Sequence, residues 1–322
     1  ADAAARATER LDAYADVWIA GHTDACEATS VRGEQSDDLL DRRMRCLEER
    51  RGELAALLAV LTVADASAVE RARDAIEALP SPARCADLDA LLAAVDPPPE
   101  ALAEAVREVR GQLVVVGAEQ AAGHQGAALA LAEAADQRSR AIAYRPLRAE
   151  VLAALGELQI EASDFAAGER TYAAAFWEAL ATRQDREAFR DASVLAGHIG
   201  DNLARPDDAE QWLHTAEALL DRLGRPRELA SDVERRRGQL AEQRGDIEAA
   251  LAHYRRALDL LPTPDHPSRD ELTQFVAVAH MSLGQLDTAQ ALQEQLLARA
   301  RERYGADHPK VALRLQTLGN IA

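Results

Sequence analysis

The chain has 322 residues, enough for two ordinary domains or one long array, and a formal net charge of −18 from 37 Lys and Arg against 55 Asp and Glu. That charge repels nucleic acid and an anionic membrane surface alike, so neither is expected as the main partner. Hydrophobic residues make up 48% and aromatics only 4%; a core of Ala, Leu and Val with few β-branched runs predicts an all-α fold and argues against a β-rich one.

The first 97 residues read as helices with no repeat. A long helix is expected from about Ala3 to Ser30, with Leu11, Tyr14, Val17, Trp18 and Cys26 on one broad face. Arg32-Gly33-Glu34-Gln35 turns the chain, and Ser36 before Asp37 and Asp38 is an N-cap with acidic first-turn residues. The second helix, about Asp37 to Leu61, is amphipathic through Leu39, Leu40, Met44, Leu47, Leu54, Leu57 and Leu58. A third starts after Asp65 and ends at Leu79-Pro80, and a short fourth lies around Asp87 to Val95. Pro97-Pro98-Pro99 marks a change of organisation, giving an N-terminal helical domain over 1–97 and a second domain over 98–322.

Beyond the prolines a small residue recurs with a period near 41, at Gly117, Gly156, Gly197, Gly238, Ala277 and Gly319. Twelve residues after the middle four stand Gly168, Ala209, Ala250 and Ala289, and seven further on Ala175, Ala216, Ala257 and Leu296. Such self-similarity marks an α-solenoid, in which each helix pair buries its apolar face only against its neighbours. The small residues are required where the first (A) and second (B) helix of a pair cross. Turns fall at Gly123, Tyr144-Arg145-Pro146, Arg183-Gln184-Asp185, Arg205-Pro206, Gly224-Arg225-Pro226, Gly245-Asp246, Leu261-Pro262, Gly284 and Tyr304-Gly305, delimiting five pairs and a final, unpaired A helix. Trp18, Trp177 and Trp212 lie among apolar neighbours and read as core.

No Gly-x-Ser-x-Gly, His-Glu-x-x-His or phosphate loop occurs, and no enzyme activity or cofactor is expected. Asp265-His266-Pro267 and Asp307-His308-Pro309 invite a metal or catalytic reading, but Asp as N-cap and Pro as first helical residue account for both. His22 and Cys26, one helical turn apart, could with Cys46 and Cys85 form a Cys3His zinc site; a disulfide and buried free thiols are the alternatives. For a disulfide the preferred pair is Cys46 with Cys85, which lies in the loop returning past the second helix. Cys26 and Cys46 would be offset by about 8–9 Å along an antiparallel hairpin. No run of 18 apolar residues is present to span a membrane. The start at Ala1 rather than Met suggests a piece of a longer polypeptide.

The stretch from about Asp232 to Pro262, with Gly238, Gly245-Asp246, Ala250, Tyr254, Ala257 and Pro262, resembles the tetratricopeptide repeat, and Asp164 to Ala175 with Tyr172 resembles it nearly as well. Gln293 stands at the aromatic site of the last pair, a departure. The longer period and the segment Gly305-Ala306-Asp307-His308-Pro309-Lys310-Val311-Ala312 are similar to the kinesin-light-chain variety. The resemblance implies a right-handed superhelix and a concave groove lined from the A helices. Its positions here are Glu150, Ala153, Glu157 and Ile160; Asp191, Val194, His198 and Asp201; Asp232, Arg235, Gln239 and Glu242; and Leu272, Gln274, Val278 and Met281. Three acidic sets and one apolar set imply a protein or peptide ligand with basic residues at one end and an apolar anchor at the other. The alternative is that these carboxylates only keep the face solvated and that ligands dock on the convex side or the N-terminal domain.

Trp18, His22 to Thr29, Arg32 to Ser36, Arg43 to Leu47, Cys85-Ala86-Asp87 and Tyr144 to Glu150 resemble a region of large bacterial transmembrane serine/threonine kinases, C-terminal to the kinase domain and membrane helix. The kinase motifs themselves are missing from this sequence. The resemblance implies a non-catalytic sensor or docking region outside the cytoplasm, with no direct membrane insertion; without the membrane helix the reading becomes a cytoplasmic scaffold. A structural role, self-association through Val311 to Ala322, is the alternative function.

Overall fold

The computed structural model describes residues 2–63, 65–88, 91, 95, 97–263, 266–306 and 308–319. Among them every long element is an α-helix and no strand occurs. The helices are α1 (Asp2–Ser30), α2 (Asp37–Thr62), α3 (Ala66–Ala78), α4 (Glu100–Ala122), α5 (Gln125–Ser139), α6 (Arg145–Glu161) and α7 (Phe165–Ala181). They continue as α8 (Asp185–Asp201), α9 (Pro206–Arg222), α10 (Arg227–Gln243), α11 (Ile247–Leu260), α12 (Arg269–Ser282), α13 (Leu286–Tyr304) and α14 (Pro309–Gly319). A 3-10 turn, Pro82–Ala86, follows α3. Most of the expected short helix around Asp87 to Val95 lies outside the described residues. The chain forms two compact units, Ala1–Ser163 and Asp164–Ala322.

In the first unit α1 and α2 form an antiparallel hairpin. Its turn is fixed by buried Arg43, which donates to Asp24 Oδ2 (2.6 Å) and Gln35 Oε1 (3.0 Å). The side chain of Ser36 caps α2 by accepting from Leu39 N, and that of Asp65 caps α3 by accepting from Ala68 N. Trp18 packs beside Leu47 and donates Nε1–H to the Leu47 carbonyl at 2.7 Å, while Val17, on the same predicted face, is exposed. Cys46 is bonded to Cys85, with 5.6 Å between their Cα atoms, and Cys26 is a free thiol. His22 stacks on Trp18; among the described residues no three His, Cys, Asp or Glu side chains are grouped to hold a metal. The position 97/98 falls inside this unit, because α4 presents Ala118 and Ala122 to Leu57, Val60, Ala75 and Ile76.

On its other side α4 packs on α5 and α6, and here the register differs from the sequence reading. Gly117 is exposed, and a Cβ there would meet nothing within 4 Å. The crossing residue is Val116, packed on Ala128 and Ala132. Val116, Ala128 and Ala135 keep the intervals of twelve and seven, displaced by one residue from Gly117. A valine fits on α4 because both facing positions on α5 are alanine.

In the second unit the register is as expected except at Gly319 of α14, which is exposed and where a Cβ would meet nothing within 4 Å. Gly197, Gly238 and Ala277 are buried, as are Gly168, Ala209, Ala250 and Ala289 and, seven on, Ala175, Ala216, Ala257 and Leu296. At Gly238 the need for a small residue is direct, since a Cβ would overlap the ring of fully buried Tyr254 on the B helix of the same pair. Gln293 takes the Tyr254 position in the last pair, buried, and donates to Gln274 Oε1 at 3.0 Å. Phe176 fills the core and meets Trp212 edge-on, whereas Trp177 is 58% exposed. One residue further along α7 is a rotation of about 100°, which carries Trp177 out of the core. Asp265 and Asp307 lie outside the described residues. The ring Nδ1 of His308 accepts from Lys310 N (3.2 Å) ahead of α14, which begins at Pro309 as expected. That of His266 accepts from Ser268 N (3.3 Å) in the preceding turn, and α12 begins only at Arg269, so Pro267 is not its first helical residue. Val311 of α14 is buried against Leu297 and Ala300, while Leu313 and Leu315 face solvent.

Candidate functional site

Successive A helices within each unit are joined by polar contacts between residues about one repeat apart. In the first unit α4 reaches α6 through a two-pronged ion pair, Arg110 Nε to Glu150 Oε2 (2.9 Å) and Nη2 to Oε1 (2.6 Å), and through Gln120 to Glu161 (2.8 Å). Burial alone would lower the Arg110 pKa, but the hydrogen bonds and charge of Glu150 raise it, so the guanidinium stays charged. Glu150 is therefore neutralised within its own chain. Glu157 is exposed, Ile160 half-buried and Ala153 buried.

In the second unit the contacts run from α8 to α14. Ser193 Oγ donates to Asp232 Oδ2, and Gln239 and Gln243 donate to the two oxygens of Asp201. Arg235 binds Asp232 on its own helix and stands 4.0 Å from Glu271 on α12. Arg314 of α14 donates to Gln274. Beneath these groups Arg236 donates to Gln239 Oε1 (3.2 Å) and lies over Gly197, where any Cβ would collide with its guanidinium. Burial by itself would raise the Asp232 pKa, yet the charges of Arg235 and Arg236 and the Ser193 hydrogen bond bring it below its ordinary value. Glu242 accepts from the Tyr254 hydroxyl at 2.8 Å; burial and this bond together hold the phenol far above its usual pKa.

These contacts revise the acidic groove expected from the A-helix positions. Glu150, Asp201, Asp232 and Glu242 all face partners in the chain. Asp191 is buried, with Arg190 at 3.9 Å and no hydrogen bond to its Oδ1, so no ligand reaches it directly. Burial raises its pKa to about 7, against the opposing charge of Arg190 and with a smaller addition from Glu187. His198 is buried as well: Nε2 donates to the Phe165 carbonyl and Nδ1 accepts from Asn202, both at 2.9 Å. Leu272 belongs to the core with Ala257 and Leu261, and the exposed residue of that turn is Glu271. A constant spacing leads from Gln274, Val278 and Met281 back to 271; Leu272 breaks it by one. The face open to a partner is thus Val194, Asp201, Arg235, Gln239, Glu271, Gln274, Val278 and Met281, all exposed or half-buried. Ser193, Gln243, Glu271 and Arg314 were not singled out from sequence. The available signal was complementary polar residues 36 to 42 apart, the spacing at which every one of these inter-helix contacts falls.

This arrangement is a helical repeat of the tetratricopeptide type. Three solved structures are similar to it. The Rap protein complexed with Competence and Sporulation Factor aligns with a TM-score of 0.58 at 12% identity, over 98% of this chain and 87% of that one. The Rap conjugation gene regulator of plasmid pLS20, in complex with the Phr peptide, gives 0.56 at 16% identity over 98% and 84%. BtubC (BKLC) from P. vanneervenii gives 0.51 at 17% identity over 64% and 84%. At such identities the likeness shows the fold. No protein-family model matches the chain, and no curated protein is similar to it in sequence. Among the described residues no helix is long and apolar enough to cross a membrane.

Proposed function

We propose that this chain is a protein- or peptide-binding module whose second unit receives an extended segment across its A-helix face. The observation that carries this reading is the row of polar side chains from Ser193 to Arg314, held by inter-helix hydrogen bonds and, between α10 and α12, by the Arg235–Glu271 ion pair, beside the half-buried Val278 and Met281. Groups fixed before the partner arrives lose little conformational entropy on binding. The two Rap structures solved with their factor and peptide support it by analogy of fold. Asp201, whose partners Gln239 and Gln243 are neutral amides that leave its charge in place, and exposed Glu271, 4.0 Å from Arg235, are what attract a basic residue, and Val278 with Met281 receives an apolar one.

The finer setting is the sensing arm of a bacterial membrane-anchored serine/threonine kinase, non-catalytic in itself and lying outside the cytoplasm. The N-terminal motif from Trp18 to Asp87 supports it, and the Cys46–Cys85 bond suits an oxidising compartment. The exposed Leu313 and Leu315 of α14 favour a second reading, self-association. An array of overlapping peptides from the encoding proteome tests the binding reading. Bound peptides should pair an apolar with a basic residue, and Val278→Asp with Met281→Asp should remove their signal. Retention of all signal by that double variant contradicts it. A monomer at high concentration in analytical ultracentrifugation removes the self-association reading.

A further inference from the structure

On α10 the residues of the A-helix face are Asp232, Arg235, Gln239 and Glu242. Arg237, Leu240, Ala241 and Arg244 lie on the opposite face, since each residue turns the helix by about 100°. There, between α9, α10 and α11, is a cleft of about 490 Å³, within the usual range of ligand sites. Its floor is apolar, from the edges of Leu213 and Leu240, 4% and 8% exposed, and from half-buried Ala241. At each end stands an ion pair: Arg237 with Glu217, and Arg244 with Glu210 at 2.7 Å. Partners on both helices are seven residues apart in antiparallel order, so the two ion pairs stand about 10 Å from each other. All four side chains retain 21 to 41% exposure, leaving oxygen and nitrogen edges open to the cleft. His214, exposed, sits midway along α9 above the floor. Glu210, Glu217 and Asp246 line the cleft against Arg237 and Arg244, an excess of one negative charge; Glu234, which also holds Arg237, is itself held by Arg256 and by His253 of the lining.

We propose that this cleft is a second docking site, separate from the A-helix face, for an extended protein segment with an apolar side chain and a Lys or Arg two residues away. In an extended segment residues i and i+2 point to the same side. A spacing of about 7 Å between them places one on the Leu213–Leu240 floor and the other at a terminal Glu. The basic residue shares the carboxylate with the resident arginine, and the excess negative charge makes that favourable. An acidic residue in its place meets three carboxylates against two arginines that are already paired, and is disfavoured.

The test is fluorescence polarisation with a labelled capped peptide, Gly-Leu-Ser-Lys-Gly, and a second in which Asp replaces Lys. The full chain should bind the first saturably, more weakly as salt rises, and the second at least about tenfold more weakly. His214→Trp fills the cleft from an exposed position and should weaken the first peptide by about tenfold or more with the circular dichroism spectrum unchanged. Val278→Asp, on the other face, should leave it unchanged. Absence of saturation up to about 1 mM overturns the proposal, as does equal binding of the two peptides or of the His214→Trp variant. Loss of binding in Val278→Asp alone assigns the peptide to the A-helix face and likewise overturns it, while leaving the proposed function intact.

Discussion

Replacing Gly238 by alanine adds one methyl group at the point where α10 crosses α11. The new Cβ overlaps the Tyr254 ring, which has little room to yield: it is fully buried, stacked on Phe275 at 5.1 Å, and held through its hydroxyl by Glu242 at 2.8 Å. Alanine gains about 1 kcal/mol of helix propensity over glycine. Overpacking costs about 1–3 kcal/mol. The net expectation for Gly238→Ala is a loss of roughly 0–2 kcal/mol from the second unit, the difference of those two effects. Gly117→Ala keeps only the propensity gain, because a Cβ there meets nothing within 4 Å. Differential scanning calorimetry reads both: in units of this size 1 kcal/mol moves Tm by roughly 2–4 °C. Gly117→Ala should raise the transition of its unit by about that amount, and Gly238→Ala should leave its own unchanged or lower it. A rise for Gly238→Ala equal to that for Gly117→Ala would refute the assignment of Gly238 as the crossing residue and of Val116 as its counterpart.

Three further outcomes are expected. The pKa of Asp191 is raised, from 3.8 to about 7, so folding favours its protonated form; below pH 4 it costs nothing, and stability falls as pH rises through 4 to 7. The fall amounts to about 4 kcal/mol at 1.36 kcal/mol per pH unit, and the Tm difference between Asp191→Asn and the wild type should widen over that range and level off above it; a constant difference contradicts this. Ala204 has φ of +52° at the end of α8, a conformation that costs a residue with a Cβ about 1–2 kcal/mol, so Ala204→Gly should raise the urea midpoint. Cys46 and Cys85 are 39 residues apart, and loss of a loop that long should cost about 4 kcal/mol in the Cys46→Ala, Cys85→Ala double variant, read by urea unfolding.

The helices were legible because their signals are local: Ser36 and Asp65 cap where the sequence places caps, and Gly123, Gly245, Gly284 and Gly305 adopt positive φ at helix ends. The repeat was legible because burial against a neighbour recurs at fixed intervals. What escaped was rotation by a single residue, at Gly117 against Val116, at Trp177 against Phe176 and at Leu272 against Glu271. In each case two adjacent residues suit the position and only the facing helix decides between them. The paired carboxylates escaped for a different reason: Asp201 and Asp232 look like free acids until the residues 38 to 42 positions away are brought beside them. The opposite cleft has no motif, since its ends are ordinary Arg and Glu of neighbouring helices.

Site-specific photo-crosslinking tests the central claim most directly. A benzophenone side chain is placed at Val278, on the A-helix face, or at Thr171, on α7, in cells producing the protein. Position 278 should yield a discrete crosslinked species containing a second polypeptide, lost when Met281 is changed to Asp, and position 171 should not. Crosslinks of equal yield from both positions, or a species from 278 that contains only a second copy of this chain, would contradict the account.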